Sequence, residues 1–149
     1  MFKIIIATHG EMSTGIKDAV STIVGTDGNI ETLRLTSGKN VDELSAEYLE
    51  ILRSEACDEG ALIFTDLISA SPYNQALLAI NHLEDSRRNN VFIIGGVNLP
   101  MVLEAVNHNF LNSNIAEVVE IIANQGKEGI SIWSTQLLAD NDEDEDDDF

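Results

Sequence analysis

A chain of 149 residues, 44% of them hydrophobic, is long enough for one domain with a sizeable core, and its 5% aromatic share means that Ile, Leu, Val and Ala must build that core. The net charge is −18; the eight acids among residues 140–149 leave −10 on residues 1–139, and a chain this acidic repels nucleic acid and anionic membrane, so neither is an expected partner. Cys57 is the only cysteine and cannot form an intrachain disulfide, and the short apolar run Ile4 to Ala7 is neither a signal peptide nor a membrane span, so a reducing cytoplasm is the expected location.

Phe2 to Ala7 is apolar and β-branched without alternation, the pattern of a strand buried on both faces, and Thr8-His9-Gly10 interrupts it. Ser13 or Thr14 is positioned to cap a helix in which Ile16, Ala19, Val20, Ile23 and Val24 share one face, and Gly25 closes it. Ile30 to Leu35 predicts a second strand near a sheet edge. Val41, Leu44, Tyr48, Leu49 and Leu52 form the stripe of a second helix. Ala61 to Thr65 predicts a third buried strand that ends at Asp66. Ser71-Pro72 opens a helix carrying Ala76, Leu77, Ile80 and Leu83, because proline is preorganised for the first turn and serine accepts an orphan N–H. Glu84 to Asn90 is polar, Val91 to Ile94 predicts a fourth strand, and Gly95-Gly96 ends it. Pro100 opens a helix through about Val106, and Asn114 caps another with Ile115, Val118, Val119 and Ile122, which Gly126 is expected to stop. Ile130 to Trp133 alternates and predicts a short fifth strand. The acidic block from Asp140 predicts a disordered, solvated tail.

Strand and helix alternate four times, which predicts a doubly wound α/β domain: four mostly parallel strands with helices on both faces. The domain is expected over residues 1–135 and the tail over 136–149. In such sheets ligands bind beyond the carboxyl ends of the strands, where the strand order reverses. Thr8-His9-Gly10, Thr65-Asp66 and Gly95-Gly96-Val97-Asn98 each end a predicted strand, and a His and an Asp at two such ends can meet at one edge of the sheet. A carboxylate from Asp66 would fix the tautomer of the His9 ring and balance a positive ring, leaving the other nitrogen free as a nucleophile towards phosphorus. Helices starting near Thr14 and Ser71 would offer backbone N–H groups and positive dipole ends to a phosphoryl group. His82 and His108 read as exposed, the latter in a loop, and three scattered histidines do not make a metal site. No G-x-S-x-G surrounds Ser69 or Ser71, and Gly95-Gly96 is not a dinucleotide fingerprint.

Taken together, IIIATHG at 4–10, an Asp-containing strand end leading to SPYN at 71–74, GGVNLPM at 95–101 followed by Glu104, and NQGKEGI at 124–130 resemble the enzyme IIA domain of the mannose (mannose/fructose/sorbose) family of the bacterial phosphoenolpyruvate:sugar phosphotransferase system. The likeness spans about residues 1–133. It implies that His9 takes a phosphoryl group from phospho-HPr and passes it to a IIB component, here on a separate chain, and that Asp66 orients His9. It also implies a phosphoryl contact from the Ser71 hydroxyl and a homodimer in which a fifth strand, here Ile130 to Trp133, is exchanged; Gly10 and Thr14 are the further expected phosphoryl-binding residues. A carrier of this kind needs no metal and no cofactor, because transfer is positioning plus electrostatic stabilisation of a metaphosphate-like group. The chain departs from the family at Leu67-Ile68-Ser69-Ala70, where a glycine pair is common before the Ser/Thr-Pro; losing both glycines restricts the backbone beside His9.

Two other functions fit the same residues. One is a phosphoryl acceptor serving a dihydroxyacetone kinase, whose members share the His at the first strand end; SPYN and GGVNLPM favour the sugar-transport branch. The other is a non-catalytic binding or regulatory module on the same fold.

Overall fold

The computed structural model describes residues 1–146. Its elements follow in order as β1 (Lys3–His9), α1 (Met12–Val24), β2 (Ile30–Leu35), α2 (Val41–Leu52), a 3₁₀ turn (Glu55–Cys57), β3 (Ala61–Thr65), α3 (Ser71–Asn81), α4 (Asp85–Arg88), β4 (Val91–Gly95), α5 (Leu99–Phe110), α6 (Ile115–Glu128) and α7 (Thr135–Asp146). The four strands form one parallel sheet in the order β2-β1-β3-β4. The chain leaves β1 towards β2 on one side and then crosses to β3 on the other. The strand order therefore reverses between β1 and β3, where such folds open a crevice.

Alternating side chains on the strands explain both layers. Ile4, Ile6, Leu62 and Phe64 pack under α1, α5 and α6 through Val20, Val102, Val106 and Ile122. Ile5, Ala7 and Ile63 pack under α2 and α3 through Leu44, Tyr48, Leu52, Ala76 and Ala79. The central strands β1 and β3 are covered on both faces, which is why their sequences do not alternate. β2 lies at one edge, as its mixed pattern predicts, and β4 lies at the other.

Several local signals act as expected. Gly25 sits at φ +83 and ends α1, and the Asn114 side chain accepts the Ala116 N–H to start α6. Others act differently. The cap of α1 comes from neither Ser13 nor Thr14, as described below, and Ser71 is already helical, with Ala70 at the cap position. Gly126 does not stop α6, which runs on to Glu128; a Cβ at Gly126 would collide with Met101, so this glycine lets α6 and α5 approach closely. The polar stretch after α3 contains the single turn of α4.

α5 runs past Val106 to Phe110, so His108 lies in a helix and not in a loop. Asn98 caps its start by accepting the Met101 N–H, and buried Asn109 anchors its end by donating from Nδ2 to the Phe2 carbonyl at 2.9 Å. Ile130 to Trp133 joins no strand; Ile130, Ile132 and Trp133 stand 74%, 82% and 73% exposed, without a neighbour to complete a ladder. Much of the expected disordered tail is helical: α7 follows Ser134, whose Oγ accepts the Leu137 N–H. Residues 147–149 of that tail lie outside the described residues. Among the described residues, no helix is long and apolar enough to cross a membrane.

Candidate functional site

His9 is the last residue of β1, in register with Leu35 of β2, while Ala7 two places earlier is in register with Thr65 of β3. Asp66 follows Thr65 directly, so the parallel register carries its carboxylate to the same end of the sheet as the His9 ring. Asp66 Oδ2 accepts twice from one residue: from the His9 backbone N–H at 3.0 Å and from His9 Nδ1 at 2.7 Å. Asp66 Oδ1 accepts the Leu67 N–H at 3.0 Å. The carboxylate is nearly enclosed, with 11% of its side chain exposed, whereas the ring it holds is 45% exposed.

These contacts set the electrostatics. Partial burial alone would raise the Asp66 carboxyl, but hydrogen bonds from the His9 backbone and ring, the charge of that ring and the Leu67 N–H outweigh it and hold the group below the usual aspartate range. An ionised carboxylate only accepts, so the proton of a neutral ring stays on Nδ1. Nε2 then carries the lone pair, and it makes no hydrogen bond among the described residues. A fixed tautomer with an open second nitrogen and a counter-charge behind it can attack an electrophile and carry the resulting positive charge.

The turn after His9 is built by residues that sequence reasoning took for ordinary ones. Thr8 is fully buried and its Oγ1 accepts the Ser13 N–H at 2.8 Å, so it caps α1 from outside the helix. Ser13 in turn donates its hydroxyl to the Leu33 carbonyl on β2 at 3.1 Å. Tyr48 is buried on α2 and donates to the Pro72 carbonyl in the first turn of α3 at 2.8 Å. Burial, followed by the nearby Asp66 and Glu47 charges, drives its phenol far above the ordinary tyrosine range, so it remains a donor. A lone threonine before a histidine and a tyrosine in an apolar stripe carry no sequence signal for these roles.

The expected phosphoryl contacts fare unequally. Ser71 opens α3 at the same end of the sheet, half-buried, and its hydroxyl makes no hydrogen bond among the described residues. The Gly10 N–H is spent on the Leu35 carbonyl at 3.0 Å, with the residue at φ +58, a conformation that suits glycine. The Thr14 hydroxyl is spent on Glu11, at 2.8 Å to the carbonyl and 3.0 Å to the carboxylate. Glu11 itself pairs with Arg34 at 2.7 Å. His82 caps the end of α3, exposed, with Nδ1 donating to the Leu78 carbonyl at 2.7 Å. His108 is not exposed as expected: 14% of its side chain is accessible, with Nδ1 3.0 Å from Ser113 Oγ and Nε2 3.2 Å from Glu104 Oε1.

The family model described as PTS system fructose IIA component (EIIA-man) matches residues 3–123. That stretch covers most of the chain and includes both His9 and Asp66. The chain belongs to this enzyme IIA family. The mannose-specific EIIAB component of Escherichia coli strain K12 is 25% identical over 127 residues, 85% of this chain, and the chain spans only 38% of the length of that relative. The sorbose-specific EIIA component of Lacticaseibacillus casei is 25% identical over 144 residues, covering 96% of this chain and 99% of its own. Among solved structures, the phosphotransferase system component EIIA from Streptococcus agalactiae superposes with a TM-score of 0.78 at 25% identity, covering 91% of this chain and 99% of its own. This enzyme IIA chain thus shares the fold of its family across the sheet and the helices that frame the histidine.

Proposed function

We propose that this enzyme IIA domain carries a phosphoryl group on His9 Nε2, taking it from phospho-HPr and passing it to a IIB component during sugar uptake in the cytoplasm. The observation that carries the reading is the 2.7 Å contact between His9 Nδ1 and Asp66 Oδ2 at the point where the strand order reverses, with the ring 45% exposed. The Nε2 lone pair attacks phosphorus on the donor, the N–P bond of the donor's phosphohistidine breaks, and the electron pair of that bond stays with the donor ring. His9 becomes an N-phosphorylated imidazolium whose proton stays on Nδ1, donated to Asp66 Oδ2, and whose charge that carboxylate balances. Ser71, with the unpaired N–H groups of the first turn of α3, supports the phosphoryl oxygens and adds a positive dipole end. Gly10 shapes the turn that follows the ring, and Thr14 holds the Glu11 carboxylate that pairs with Arg34.

Incubation with phosphoenolpyruvate, enzyme I and HPr is expected to add one acid-labile, base-stable phosphoryl group, read by intact mass. His9→Ala should abolish it, and His82→Ala and His108→Ala should not; persistent labelling of His9→Ala excludes the assignment. The reading includes a homodimer. It is supported by the exposed Ile130, Ile132 and Trp133 and by the edge position of β4, whose residues are all only half-buried. Light scattering at micromolar concentration should return twice the mass of the chain, and a monomer counts against the pairing.

A further inference from the structure

We infer that Leu67 and Ile68 are the contact by which this domain selects the phosphoryl-donating protein that loads His9, an inference that rests on the carrier reading above. Leu67 and Ile68 are 59% and 67% exposed and directly follow the carboxylate that holds the ring. Single exposed aliphatic residues are ordinary on a protein surface. The backbone beneath this pair is not ordinary. Ser69 sits at φ +64, a left-handed conformation that costs a non-glycine residue roughly 1–2 kcal/mol. The Asn74 side chain holds it there by donating to the Ser69 carbonyl at 2.9 Å. Ile68 is seated over the end of β4, where a Cβ on Gly95 would stand 2.5 Å from Ile68 Cγ1. The loop is therefore fixed in a strained shape, anchored on both sides, that keeps two large apolar side chains in solvent directly after the carboxylate that holds the ring. Met12, 45% exposed on the first residue of α1, adds an apolar group three residues after His9.

A permanent cover over this patch would close off the His9 ring, so its occupant has to arrive and leave. That condition fits a transient carrier better than a second copy of this chain. Charge narrows the choice further. The charged neighbours after His9, Glu11 and Arg34, neutralise each other, while the chain as a whole carries −18. The complementary partner presents an apolar contact next to its own phosphoryl group, inside a basic rim that speeds encounter with an acidic surface.

The test compares two donors on the same chain: phospho-HPr, which has a protein surface, and phosphoramidate, a small phosphoryl donor that has none. The double variant Leu67→Ser/Ile68→Ser is expected to raise KM for phospho-HPr at least tenfold with kcat within twofold, and to leave labelling by phosphoramidate unchanged. Leu67→Met/Ile68→Val should restore the wild-type KM. An unchanged KM for phospho-HPr in the serine variant overturns the docking role and leaves the carrier role standing. Loss of labelling from both donors also overturns it, because the loop would then act through the geometry of His9. A fall in mass by light scattering overturns it too, by giving the patch to a second copy. If wild-type protein takes label from neither donor, the carrier reading itself fails.

Discussion

His9 and His108 each stand beside a carboxylate, yet the two pairs are built for opposite ends. The His9–Asp66 pair joins two strand ends 57 positions apart, buries the acid and leaves the ring open. The His108–Glu104 pair sits within one helix, four residues apart, and encloses the ring: 14% of His108 is accessible, Ser113 holds Nδ1, and Glu104 approaches Nε2 without the alignment of a good hydrogen bond. Both ring nitrogens of His108 face partners, so no lone pair is offered to solvent. A carboxylate next to a histidine is therefore insufficient to make a carrier. What separates the two is which group is buried. At the strand ends the sheet hides Asp66 and displays the ring; in α5 the helix packs the ring inward and leaves its partners nearer the surface.

The sharpest way to break the comparison is at Asp66. Asp66→Asn keeps the size of the side chain but lets the amide donate to Nδ1 and present the wrong tautomer, and it removes the charge that balances a phosphorylated ring. A hydrogen bond to a charged group is worth about 1.5–3 kcal/mol, and each 1.4 kcal/mol is tenfold, so transfer from phospho-HPr should slow on the order of 10- to 100-fold in rapid-quench assays. The same residue gives a pH signature. Its carboxyl is held below the ordinary value, so its contribution to stability is fully present above the unfolded aspartate value of about 3.9 and is lost as pH falls through the lower folded value. The stability advantage of wild type over Asp66→Asn, followed by chemical denaturation, should be present at about pH 5 and shrink below pH 4. A constant difference across that range would show that the carboxylate is not held as described.

The pairing of His9 with Asp66 was legible in the sequence because both residues punctuate apolar strand runs, and parallel strands bring their carboxyl ends to one edge. The parallel, doubly wound sheet followed from the alternation of strand and helix; its order, with the reversal between β1 and β3, came from the structure. What escaped depended on contacts that no local pattern encodes. Thr8 caps α1 across a turn, and Tyr48 reaches the first turn of α3 from another helix, so both looked like core or loop residues. The end of α5 escaped because periodicity counts apolar side chains, whereas its last inward positions are His108 and Asn109, paid for by hydrogen bonds to Ser113 and Phe2. Gly126 carries the same symbol as a helix stop but serves the packing of α6 on α5. Ile130 to Trp133 has the alternation of a strand and still forms none here, since pairing requires a neighbour that alternation cannot supply.

The enclosed pair gives the smaller and complementary effect. His108→Ala removes the ring that Ser113 and Glu104 approach, leaving space beneath the end of α5 and two polar groups short of a partner. Both of those groups keep some access to water, which limits the loss to about 1–2 kcal/mol of folding stability. Thermal unfolding should therefore shift down by several degrees, while the rate and extent of phosphoryl transfer at a temperature well below the transition stay at the wild-type level. Asp66→Asn should show the reverse weighting, with a large kinetic loss and a fold that persists at neutral pH. If His108→Ala instead slowed transfer as strongly as Asp66→Asn without lowering the transition temperature, burial would no longer distinguish the two histidines, and the ring in α5 would have to be assigned a part in the chemistry despite having both nitrogens turned inward.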